Sequence, residues 1–322
     1  MQTRLQKIRG HLSEDIMRFG IIAAFLIIMP FASEYFFQMK NIMNILQNIS
    51  LQGITAIGMT MVIITGGIDI SVGGVMAMCA WIAASLMKSG INWGIACLVA
   101  LLIAVLCGAV NAFSVSVMKI PPMIATLAMM SMTRGLQTVI SHGTTLTGLP
   151  ESFQIIGQGM IFGVIPIPAI IVVVLYIIAS LFMKKTVTGR NIYIVGGNPE
   201  AARVAGIKNK RVLFFSYIAC AVLATVAGLV FVSRTNSAPA TLGTNLEMKA
   251  IMAAVIGGTS VTFGGKGKIF GTFLGVIIVG LISNALDLLG VSAYYQQFIQ
   301  GLLVLVVVIL EAIRNNRAAK KR

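Results

Sequence analysis

Charge is what this sequence has least of. Among 322 residues only 10% are Asp, Glu, Lys or Arg, against about a quarter in soluble globular chains, while 57% are hydrophobic and the mean hydropathy is +0.95. A soluble fold is excluded, because a chain so poor in charge must turn most of its surface toward something other than water. Histidine is limited to His11 and His142, with no HExxH, so a metal-assisted hydrolase has no ligand set here. The four cysteines, Cys79, Cys97, Cys107 and Cys220, sit inside apolar runs without a CxxC pair and read as small buried hydrophobes. A phosphate cradle of the form G-x-x-x-x-G-K-[ST] is also missing, since the nearest approach, Gly258 to Lys266, has the wrong spacing and is followed by Gly267. ATP is therefore not expected on this chain.

What the sequence has in quantity is apolar runs, near 17–37, 46–65, 75–88, 93–117, 123–141, 164–183, 212–233, 249–263, 269–289 and 297–313. At about 20 residues per spanning helix, these predict an all-α polytopic membrane protein with about ten transmembrane helices. The whole chain, 1–322, then forms a single membrane domain. The runs at 75–88 and 249–263 are short for a straight span and abut glycine-rich segments, which predicts half-helices or re-entrant, broken elements. The first run follows basic residues but no A-x-A-like site closes it, so it reads as a retained helix rather than a leader.

The excess of 24 Lys+Arg over nine Asp+Glu would suggest nucleic acid in a soluble protein, but the positions argue otherwise. Basic residues bunch at the N-terminus, in 184–211 and in the tail 314–322, beside apolar runs. With ten crossings and both termini cytoplasmic, nineteen of the 24 fall on the cytoplasmic side, as the positive-inside rule requires. The partner implied by the charge is the bilayer, and nucleic acid is not expected.

Three segments carry the features from which chemistry could be built. GGIDISVGG, Gly66 to Gly74, sets one carboxylate, Asp69, and Ser71 between the pairs Gly66-Gly67 and Gly73-Gly74. A carboxylate at mid-bilayer costs about 2.5–3.5 kcal/mol on insertion scales, and glycines permit the unwound backbone that lowers this cost. The segment reads either as a gate at the inner end of a path or as a cap on the next helix. GGTSVTFGG, Gly257 to Gly265, echoes it with Gly257-Gly258 at its start, as repeated halves of a transporter would. In the basic stretch 184–211, Asn198 suits an N-cap, Pro199 the first helical position and Glu200 the positive end of the helix dipole, with Gly206 ending the turn. That short helix reads as a knob for docking another protein or as a loop packed on its own bundle.

Hydrogen-bonding groups inside apolar runs are few. Ser283, Asn284 and Asp287 share a face by i, i+3/i+4 spacing, as do Gln296, Gln297 and Gln300, and Asn111, Thr126, Arg134 and Gln137 are further candidates to line a weakly polar passage. Each of them also reads as glue between helices.

GGIDISVGG, PPMIATLAMM from Pro121, TGRNIYIVGGNPEAARVAGI from Thr188, AVIGGTSVTFGGKGKIFGT from Ala254 and LLGVSAYYQ from Leu288 together resemble the permease subunits of ribose-type sugar ABC importers, in order and spacing, over about 41–312. The resemblance implies a bacterial inner-membrane protein that works with a second permease copy or a paralogous permease. It implies a cytoplasmic ATP-binding protein carrying ATP and Mg, and a periplasmic sugar-binding protein. It places the coupling segment on Gly197, Asn198, Pro199, Glu200, Ala201, Ala202, Arg203 and Gly206, in a form shorter than the long EAA loop of other importers. The expected function is import of ribose or a related pentose or hexose, without enzymatic activity in this chain. The alternative from the residues alone is a proton-coupled sugar transporter using Asp69 or Asp287.

Overall fold

A computed structural model of the chain describes residues 2–319; Lys320, Lys321 and Arg322 of the basic tail lie outside the described residues. The structure is almost wholly helical. In chain order the helices are α1 (Gln2–Ala32), α2 (Met39–Ile64), α3 (Val72–Lys88), α4 (Trp93–Ser116), α5 (Pro122–Ser141), α6 (Glu151–Gln158), α7 (Ile167–Lys185), α8 (Val187–Gly197), α9 (Pro199–Val204), α10 (Asn209–Thr235), α11 (Leu246–Ile256), α12 (Ile269–Leu288) and α13 (Ala293–Ala319). Among the described residues, four two-residue strands form two small antiparallel pairs, one joining Leu146–Thr147 to Ser237–Ala238 and the other closing the 160–166 turn.

Among the described residues, six helical segments are long and apolar enough to cross a membrane: Asp15–Ala32 of α1, α2, α4, α7, α10 and α12. They sort into layers by which residues they hide. From Gln52 to Ile64, α2 is buried on every side, so it is the central post of the bundle. On α4, by contrast, Ile95, Leu98, Leu102, Leu106 and Val110 are exposed, while Ala96, Ala100, Ala104, Gly108 and Ala112 are buried at four-residue intervals. This is the pattern of a lipid-facing helix that packs through a small-residue stripe, since small side chains let backbones approach and large apolar ones cost nothing against acyl chains. The close approach is real at Gly108, where an added Cβ would stand 2.7 Å from Ile218 Cα of α10.

The two short runs behave differently from the others. Helix α3 has 17 residues and begins only after a non-helical stretch, 65–71, has carried the chain away from the end of α2. Helix α11 has 11 residues and stops at Ile256, so the apolar run expected at 249–263 is helical only in its first part; the glycines from Gly257 onward end it. The N-terminal ends of α3 and α11 meet. A Cβ at Gly73 would collide with Gly243 O and lie 2.7 Å from Glu247 Oε2 and 3.4 Å from Arg134 Nη2, and the Arg134 guanidinium donates to Leu242 O. Two discontinuous helices thus turn their N-terminal ends toward one another inside the bundle, and irregular backbone is tolerated there because protein surrounds it.

The glycine echo takes on geometric content. Helix α2 ends with Gly66 at φ +88°, Gly66 N–H donating to Ile63 O at 2.9 Å and Gly67 N–H to Val62 O at 3.1 Å. Helix α11 ends with Gly258 at φ +83°, Gly258 N–H donating to Val255 O at 2.8 Å and Thr259 N–H to Ala254 O at 2.9 Å. Both are Schellman ends, in which a left-handed residue satisfies the last carbonyls. The left-handed residue is the first glycine of its pair in one case and the second in the other, so the structural register is offset by one residue from the sequence match. Beyond the caps the paths diverge, one toward α3 and the other through a turn, closed by Ser260 N–H donating to Lys266 O at 3.2 Å, toward α12.

Candidate functional site

The short helix expected after Asn198 forms as α9. Asn198 Oδ1 accepts from Ala201 N–H at 2.9 Å, Pro199 is the first helical residue, and Gly206 follows at φ +78°. Glu200 pairs with Arg203 at 3.0 Å, but both side chains are more than 70% exposed, so the pair adds little stability. Ala202 is the buried anchor of the helix, whereas Ala201, Val204 and Ala205 are exposed, Val204 at 82%. Val204 is thus an exposed apolar side chain flanked by the exposed Glu200 and Arg203. Beside it a groove of about 580 Å³ runs between α8 and the start of α10, bordered by Asn191, Ile207, Lys208, Arg211 and Phe215.

Sequence reasoning missed α8, the helix that fixes α9 to the bundle. It starts on Thr186, whose Oγ1 accepts from Gly189 N–H at 3.0 Å, and ends at Gly196-Gly197. There three backbones meet without intervening side chains. Gly265 N–H donates to Ile64 O at 2.7 Å, and a Cβ on Gly196 would collide with that same Ile64 carbonyl and lie 2.7 Å from Gly265 N. A Cβ on Gly265 would stand 2.7 Å from Gly197 N and Cα. The end of α8, the last residue of α2 and the turn before α12 are therefore clamped together. Burial pushes the Tyr193 phenol of α8 above its ordinary range.

At the far side of that clamp lies the Asp69 segment. Asp69 and Ser71 are fully buried. Asp69 Oδ1 accepts from Ser71 N–H at 3.0 Å and Ser71 Oγ at 2.6 Å, and Asn111 Nδ2 of α4 donates to Ser71 Oγ at 2.9 Å and, at 3.5 Å, to Asp69 Oδ1. Thr126 of α5 donates to Ile68 O at 3.2 Å. The carboxylate thus shapes an Asx-type turn just before α3 and, through Ser71 and Asn111, fastens it to α4; the N-cap of α3 is Ser71, whose side chain makes no capping bond to the helix. Glycine is needed on either side for different reasons. Gly66 has the left-handed backbone, whereas a Cβ on Gly67 would stand 2.5 Å from Tyr217 Oη. Gly74 packs on Thr133 and Met130 of α5, and Gly257 packs on Gly271 and Thr272 of α12.

The remaining polar candidates disperse. Asn284 exchanges two hydrogen bonds with Asn41, at 3.1 and 2.6 Å, and so joins α12 to α2. Ser283 is buried beside it with its hydroxyl unpartnered. Asp287 points to the exposed side and accepts from Gln296 at 2.8 Å. The face expected for Ser283, Asn284 and Asp287 is therefore split between bundle and surface, because one helical turn carries Asp287 past the end of the packed region. Gln300 is buried on α13 and Asn111 belongs to the Asp69 turn.

The chain is a helical bundle with several apolar helices of membrane-crossing length, an unwound, glycine-flanked turn inside and a short exposed helix joined to its central helix; comparison with known proteins identifies the class as a membrane permease. The family model described as branched-chain amino acid transport system / permease component matches residues 41–308, and the chain belongs to that family. It is similar to the ribose import permease protein RbsC of Bacillus subtilis, 39% identical over 88% of this chain and 88% of that protein, and to the protein of the same name from Escherichia coli K12, 39% identical over 87% and 88%. It is 33% identical to the autoinducer 2 import system permease protein LsrC of Yersinia enterocolitica over 91% of this chain and 80% of that one. No solved structure matches the chain.

Proposed function

We infer that this chain is the permease subunit of an ATP-driven importer of simple sugars, with ribose as the first cargo to test, in the bacterial inner membrane. The observation that carries the reading is the clamp between α8, α2 and the 264–265 turn, which gives the exposed α9 a rigid connection to the central helix. The sugar cargo is supported by the similarity to ribose import permeases.

In this reading α1 leaves the cytoplasm and the spans alternate through α2, α3, α4, α5, α7, α10, α11, α12 and α13, ten crossings with both termini inside. The basic α7–α10 connection then lies in the cytoplasm, beside the headgroups that attract it. Two permeases, identical or paralogous, form the membrane unit; a cytoplasmic ATP-binding protein seats α9, and a periplasmic binding protein delivers the sugar. The ATP-binding chain supplies ATP hydrolysis. Its closure pushes α9, the push reaches Ile64 through the glycine contacts, and the 65–71 turn, fixed at Asp69 to α4, shifts the ends of α3 and α11 against each other. Such a device needs no tight sugar affinity in the membrane, since tight binding there would slow release.

Glu200→Lys and Val204→Asp are expected to leave the protein inserted and to lower co-purification of the ATP-binding partner about tenfold, because a desolvated knob with reversed or added charge loses its fit. Quantifying the partner retained on tagged permease checks this. Retention equal to wild type in both variants would contradict docking through α9.

A further inference from the structure

A polar lane descends one side of α2 that neither the coupling knob nor the Asp69 turn uses. At its outer end Arg234 of α10 donates to Asn48 Oδ1 at 3.3 Å. One turn further along α2 lies Gln52, 4% exposed, with its amide oxygen unpartnered. Positions i and i+4 share a helix face, so the two amides are stacked along one path. At Gln52 the path opens into a cavity of about 220 Å³ between α2, α10, the 239–245 loop and α11, walled by Leu51 and Phe231 and bordered by Thr241, Thr244 and Lys249. The volume lies below the roughly 300–1,000 Å³ of drug-sized pockets and suits one small molecule.

The chemistry of the walls selects the occupant. A buried amide without a partner is kept where a ligand or water completes it. A lysine on a membrane-embedded helix is kept where it faces a path or a partner. Gln52 offers donors and an acceptor, Lys249 three donors and the threonines hydroxyls of both kinds, while Leu51 and Phe231 give an apolar wall for C–H faces. Among the described residues no carboxylate lines the cavity, and the Lys249 ammonium interacts with the Asp287 carboxylate outside that lining, so the cavity wall itself holds no counter-charge for an amino acid's ammonium group. A neutral polyol can hydrogen-bond to Gln52, Lys249 and the threonines and lay its C–H faces on Leu51 and Phe231.

We propose that this cavity is a transit subsite for a neutral monosaccharide, with Gln52 and Lys249 binding its hydroxyls. The proposal rests on the importer reading above. The test uses the full permease with its ATP-binding and sugar-binding partners in vesicles. Gln52→Leu and Lys249→Met are each expected to lower ribose uptake about tenfold at equal amounts of inserted protein. Independently, Thr244→Cys, in a chain whose four native cysteines are replaced by alanine, is expected to react with a water-soluble maleimide, and ribose is expected to slow that reaction at least threefold while isoleucine does not. Wild-type uptake in both substituted permeases, protection by isoleucine rather than ribose, or a Thr244→Cys thiol unreactive because lipid or a second copy covers it would each overturn the subsite. Failure of the wild-type complex to take up ribose or any other pentose or hexose, with Thr244→Cys still protected by ribose, would overturn the importer reading and leave sugar binding at the subsite standing; failure of both overturns both. If a substituted chain does not reach the membrane, the labelling result decides.

Discussion

Gly196→Val is expected to abolish ATP-coupled sugar uptake, lowering it well over tenfold, while the protein still inserts. The Cβ of any residue at 196 falls on the Ile64 carbonyl and beside the Gly265 amide, and valine adds two methyl groups to the same space. Backbone atoms cannot rotate away as a flexible side chain can, so α8 must separate from α2 and the Gly265–Ile64 hydrogen bond is lost. Overpacking of this kind costs about 1–3 kcal/mol, enough to leave the clamp open much of the time, yet it lies outside the apolar helix faces that drive insertion. Gly135→Ala, where an added Cβ meets nothing within 4 Å, is the matched control. Comparing membrane abundance with uptake separates the cases: uptake retained in Gly196→Val would show that force does not travel through this contact.

The second large effect is expected at Asp69. Asp69→Ala removes the acceptor of the Ser71 N–H and Ser71 Oγ bonds and loosens Asn111. Each buried donor left without a partner costs about 1–3 kcal/mol, so the turn should lose its fixed shape and uptake should fall at least tenfold. Asp69→Asn keeps an acceptor oxygen at the same place and is expected to retain uptake within about threefold. A proton carrier would behave otherwise, since an amide cannot load or release a proton at that site; loss of uptake in Asp69→Asn equal to that in Asp69→Ala would favour proton coupling through this residue.

Much of the bundle was legible because lipid imposes simple rules. The runs at 93–117 and 269–289 match α4 and α12 to within two residues, since a helix crossing hydrocarbon must be long and apolar. Asn198-Pro199-Glu200 announced α9 because capping is local chemistry. Helix α8 was not legible: VTGRNIYIVGG has neither the length of a span nor a clear apolar stripe, and tertiary contact stabilises it through buried Ile192 and Val195. Nor could spacing show that Gly196 and Gly265 meet Ile64, because close backbone approach is a property of the assembled fold. The signal missed at the cavity was available, since Asn48 and Gln52 are two amides one turn apart at the start of an otherwise apolar run.

ATP hydrolysis on a partner is expected to drive sugar through this chain. The direct measurement is ribose uptake into membrane vesicles carrying the protein, with and without the co-expressed ATP-binding and sugar-binding proteins, with and without ATP. Uptake that requires both partners and ATP and survives collapse of the proton gradient is the predicted result. Uptake by this chain alone, abolished when the gradient is collapsed, would contradict it.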